Sequence, residues 1–62
     1  VEKIEVRKKG QKIITYYEVI YNGNLFKVKE IEDINKKMIT YDVRKEETQN
    51  ERVNIIKEIS SL

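Results

Sequence analysis

The chain has 62 residues and a mass of 7.5 kDa, with no cysteine, histidine, proline or tryptophan and only two glycines. That inventory leaves room for one domain. It removes disulfides, histidine- or cysteine-based metal sites, the Ser-His-Asp and Cys-His catalytic pairings, and the glycine loops that cradle phosphates. Thirteen Lys and Arg against eleven Asp and Glu give a net charge of +2, and 39% of the residues are hydrophobic, which argues against both a disordered chain and an overtly basic one.

The first apolar alternation, Ile4 and Val6 between charged residues, predicts a strand over about residues 2–8. Lys9-Gly10-Gln11 then reads as a tight turn, with a two-residue loop at either Lys9-Gly10 or Gly10-Gln11. A second strand is predicted over about 12–21. It ends at Asn22-Gly23, a dipeptide suited to the type I′ turn because both central residues of that turn need positive φ. The turn sets Ile20 opposite Leu25, Val19 opposite Phe26, Tyr17 opposite Val28 and Glu18 opposite Lys27.

A third strand follows over about 25–32, and Asp33–Lys36 reads as a four-residue loop that pairs Glu32 with Lys37. Asp33-Ile34-Asn35 opens like a calcium loop but lacks the third ligand, the central glycine and the closing glutamate, so we read it as a polar turn. The fourth strand, over about 38–44, brings Ile39, Tyr41 and Val43 to the face that already holds Ile4, Val6, Ile13, Thr15, Tyr17, Val19, Tyr21, Phe26 and Val28. Three turns thus agree on one buried surface.

Thr48-Gln49-Asn50-Glu51 matches a capping box and predicts a helix over about 49–60, with Val53, Ile55, Ile56, Ile59 and Leu62 on its apolar side. Rich in β-branched residues, such a helix needs a sheet to pack on. The expected fold is α+β, a single domain of four antiparallel strands in a meander followed by one helix, ββββα. Strand 2 is long enough to curl the sheet into a small SH3-like barrel, an alternative the periodicity leaves open.

Charge is unevenly spread: residues 1–45 carry eleven basic and seven acidic side chains, and residues 46–62 carry two and four. The sheet face turned away from the apolar one is the informative surface. A two-residue loop at Lys9-Gly10 places Tyr16 between Lys3 and Lys29, and puts Ile14, Ile31 and Met38 in a row. Two functions fit this face. In one it binds nucleic acid, with Lys3, Arg7, Lys27 and Lys29 on phosphates, Tyr16 stacked on a base and Met38 or Ile31 as a wedge. In the other, Ile14, Ile31 and Met38 form an interface with a protein partner, including a second copy of the chain. A covering of the same row by the chain's own termini is a third possibility.

Lys36-Lys37-Met38-Ile39-Thr40-Tyr41-Asp42, placed after a strand pair turned at Lys-Gly and before a C-terminal helix, resembles the small chromatin proteins of archaea. The resemblance implies an SH3-like barrel that binds the DNA minor groove through a three-stranded sheet. It departs from them in lacking a tryptophan, a glycine-rich final turn and a strong basic excess. We expect a soluble, cytoplasmic, non-enzymatic binding module with no cofactor, no metal, no membrane attachment and no small-molecule substrate, acting on nucleic acid or on a protein.

Overall fold

The computed structural model describes residues 1–44 and 48–62. Four strands, β1 (Glu2–Lys9), β2 (Lys12–Tyr21), β3 (Asn24–Asp33) and β4 (Met38–Val43), form one antiparallel sheet in the order β1-β2-β3-β4, and α1 (Gln49–Ser60) follows. This is the ββββα meander expected from the turns. The sheet is open, with β1 and β4 as its edges and no pairing between them, so the barrel alternative is not realised.

The turns show why the chain reverses where it does. Asn22 and Gly23 adopt φ of 51° and 76°, both positive as a type I′ hairpin requires, and β2 pairs with β3 from Tyr21 with Asn24 to Lys12 with Asp33 without interruption. At the first turn Lys9 pairs with Lys12, which selects Gly10-Gln11 as the loop, with Gly10 at φ 61°. The third loop is Ile34–Lys37, one residue later than expected: Asp33 stays paired with Met38 and Glu32 faces Ile39, not Lys37. Two local features close it there. The Asp33 carboxylate accepts from the Lys36 backbone N–H at 3.1 Å, and Lys37 takes a left-handed φ of 52°.

The core lies between the sheet and α1. It consists of Tyr17, Val19, Phe26, Val28 and Val43 from the sheet with Ile55 and Ile59 from the helix, and Thr15 is the one buried polar residue among those described. At the N-cap, Thr48 Oγ1 accepts from the Glu51 N–H at 3.2 Å while the Thr48 N–H donates to Glu51 Oε1 at 3.0 Å. Two further bonds orient the helix on the sheet: Arg52 Nη2 donates to the Tyr41 carbonyl at 2.6 Å, and Asn54 Nδ2 donates to Tyr21 Oη at 2.8 Å. Burial first, and then the nearby Glu30 carboxylate, raise the phenol pKa of Tyr17 and of Tyr41 above the ordinary value.

The helix covers less than its sequence suggested. Ile55 and Ile59 are buried and Ile56 is half-buried, while Val53 and Leu62 are exposed. On the sheet's helix-facing side Val6 and Ile39 lie beyond its reach and are exposed. Ile4 is a larger correction. Glu5 pairs with Tyr16 but Lys3 pairs with Tyr17, so Ile4 is the extra residue of a β-bulge. It leaves the core face and lines a depression on the other side with Tyr16 and Lys29.

Candidate interaction face

The face of the sheet turned away from α1, the outer face, is laid out in rows set by the register. From the hairpin tip, the central strands present Ile20 opposite Leu25, Glu18 opposite Lys27, Tyr16 opposite Lys29, Ile14 opposite Ile31, and Lys12 opposite Asp33. β1 adds Glu2, Glu5, Arg7 and Lys9 to these rows, and β4 adds Asp42, Thr40 and Met38. Arg44 joins at the end of β4, where its N–H bonds the Lys27 carbonyl at 3.0 Å.

The Gly10-Gln11 loop and the bulge together rearrange the expected nucleic-acid residues. Tyr16 stands between Glu5 and Lys29, not between Lys3 and Lys29, because the Gly10-Gln11 loop moves the β1 register by two. Lys3 pairs with Tyr17 and so falls out of the outer-face set. Arg7 is on the face, but its Nε donates to Glu5 Oε1 at 3.0 Å, and that bond, more than the Coulomb attraction beside it, raises the guanidinium pKa. Tyr16, Lys27 and Lys29 are together as expected, around a depression of about 220 Å³ that Ile4, Glu5, Glu18 and Arg44 also line.

Counted over the rows, the face carries Arg7, Lys9, Lys12, Lys27, Lys29 and Arg44 against Glu2, Glu5, Glu18, Asp33 and Asp42. Like charges stand side by side at Glu2–Glu18, Lys9–Lys12 and Lys27–Lys29, but six basic against five acidic side chains leave the face as a whole without a strong single-sign field. The positive excess of the N-terminal 45 residues is therefore not concentrated here.

The apolar residues fare differently. Ile14 and Ile31 are directly opposed and half-buried at the centre of the face, but Thr40, not Met38, completes their row. Met38 sits one row further along, opposite Asp33, and is 53% exposed. Ile20 and Leu25, which the hairpin register places on this face but which were not among the expected interface residues, are opposed at the hairpin tip, 73% and 46% exposed, and with Val1 they line a second depression. Their signal was already in the chain, as an apolar pair on the outer parity of a hairpin with a known turn.

Among the described residues no group of carboxylates is placed to hold a metal ion, and no helix is long and apolar enough to cross a membrane. No protein-family model, curated protein or solved structure matches the chain.

Proposed function

We propose that this chain is a small, non-enzymatic protein-interaction module whose working surface is the outer face of the sheet. The observation that carries the reading is the make-up of that face: an apolar Ile14–Ile31 centre, exposed Ile4, Met38, Ile20 and Leu25 around it, and charges of both signs between them. Interfaces between proteins combine an apolar centre with a polar, sign-matched surround. A phosphate-binding surface draws its affinity from accumulated positive charge, which Glu5, Glu18, Asp33 and Asp42 dilute here. The absence of histidine and cysteine supports the non-enzymatic part of the reading.

The nucleic-acid reading keeps Tyr16, Lys27 and Lys29 as its residues and is the alternative outcome of the test. The decisive experiment places a photo-crosslinking amino acid at Met38 on the outer face, or at Lys57 on the helix, and exposes the purified variants to an extract of the source cell. Protein adducts are expected from position 38 and not from position 57. In parallel, duplex and single-stranded DNA and RNA are titrated at roughly 50 mM salt, where phosphate contacts are strong. Saturable binding that weakens with Lys27→Ala and Lys29→Ala would overturn the protein-interaction reading, as would adducts from both positions alike.

A further inference from the structure

The rows of the outer face have a property that a surface for an unrelated protein does not need. Each row of the two central strands holds a complementary pair: Ile20 with Leu25, Glu18 with Lys27, Tyr16 with Lys29, Ile14 with Ile31, and Lys12 with Asp33. Consider a second copy laid face to face with the first, related by a two-fold axis that runs along the strands between β2 and β3. The operation sends β2 of one copy over β3 of the other and leaves the rows aligned. Every complementary pair within the sheet is then repeated between the sheets. The face is complementary to itself.

We infer that the outer face is the contact surface of a two-fold homodimer with this axis, an inference that rests on reading the face as a protein-interaction surface. Isologous pairing of one patch with itself is the commonest form of association. Two sheets pack about 10 Å apart with their strands within about 30° of one another, which suits an axis along the strands. On the central strands Ile14 meets Ile31 of the second copy, at the hairpin-tip end Ile20 meets Leu25, and at the opposite end Lys12 meets Asp33. Between them Glu18 meets Lys27, and Tyr16 lies against the stem of Lys29.

The 34 strand residues, each about 4.8 Å by 3.3 Å, give roughly 540 Å² of flat sheet per copy, and side-chain relief brings this toward the ~800 Å² typical of a stable partner surface. The long dimension of the molecule, 35 Å, matches the strand length. One pairing is unfavourable, Glu5 with Asp42 of the second copy. It falls at the rim of the surface, where water screens it, and Glu5 already holds Arg7. The chain also leaves 4723 Å² accessible, against about 4200 Å² expected for a folded monomer of its mass.

Sedimentation equilibrium from low micromolar to submillimolar concentration tests the pairing. The wild type is expected to dimerise. Ile31→Lys is expected to weaken the dimer by a hundredfold or more, while Val6→Lys, on the helix-facing side and 54% exposed in the wild type, leaves it unchanged. Circular dichroism establishes that each variant is folded.

The discriminating variants are Glu18→Lys and Lys27→Glu. Each alone places like charges across the interface and is expected to raise the dissociation constant about tenfold, in keeping with the energy of close charge pairs at interfaces. An equimolar mixture of the two chains restores both contacts between copies while leaving the one mismatch within each sheet, so a mixed dimer is expected at near wild-type affinity. No recovery on mixing, or a dimer indifferent to Ile31→Lys, overturns the arrangement. A wild type that stays monomeric throughout overturns it as well. In that case protein adducts from position 38 would leave the broader reading of the face standing, and their absence would remove both.

Discussion

Glu2 and Glu18 stand directly opposite one another at the open end of β1, an unfavourable juxtaposition of like charges created by the bulge at Ile4. In an uninterrupted register Glu18 would have faced Lys3. Cross-strand pairs of opposite charge contribute roughly 0.2–1 kcal/mol, so Glu2→Lys is expected to stabilise the chain by an amount in that range. For a domain of this size the gain reads as a rise of a few degrees in thermal midpoint, measured at low micromolar concentration. No change would mean that water screens the pair completely. The correction to Tyr16, whose neighbour is an acid where a base was expected, has a different cause, the Gly10-Gln11 loop.

Among the elements, one turn and one helix cap carry much of the definition of the fold. Gly23 sits at φ 76° with nothing within 4 Å of the position a Cβ would occupy, so the cost of Gly23→Ala comes from backbone conformation alone. It is expected to be about 1–2 kcal/mol, seen as a lower urea midpoint at constant slope. Thr48→Ala removes the oxygen that accepts from the Glu51 N–H and is expected to cost about 1 kcal/mol by the same measurement.

Both features were legible in the sequence because a special φ or a capping oxygen demands particular residue types. The buried face was legible for a related reason: a slip of one residue would have turned Tyr17, Val19, Phe26 and Val28 outward. A slip of two preserves every facing and leaves no trace in the hydrophobic pattern. That is why the β1 register at Tyr16 and the position of Met38 relative to Ile31 both came out differently. The bulge was invisible because no glycine or other residue of special conformation marks Ile4. The charge balance of the outer face depends on those shifts, so the candidate site was less legible than the fold.

Among the described residues the core is small for the chain's length, with seven apolar side chains, no disulfide, and exposed apolar residues from Val1 to Leu62. A chain near 60 residues buries only about 60% of the surface its unfolded form exposes, and such chains commonly gain stability by association. If folding and pairing are linked in this way, the stability of each chain depends on how much protein is present. Each tenfold increase in concentration adds about 1.4 kcal/mol per dimer, or about 0.7 kcal/mol per chain. With an unfolding entropy near 2.1 cal/mol/K per residue, that is a rise of roughly 5 °C in thermal midpoint per decade. Differential scanning calorimetry of the wild type over two decades of concentration is expected to show that slope, and Ile31→Lys to show none. A midpoint independent of concentration in both would mean that the seven-residue core is sufficient by itself, and that the outer face contributes nothing to the stability of the isolated chain.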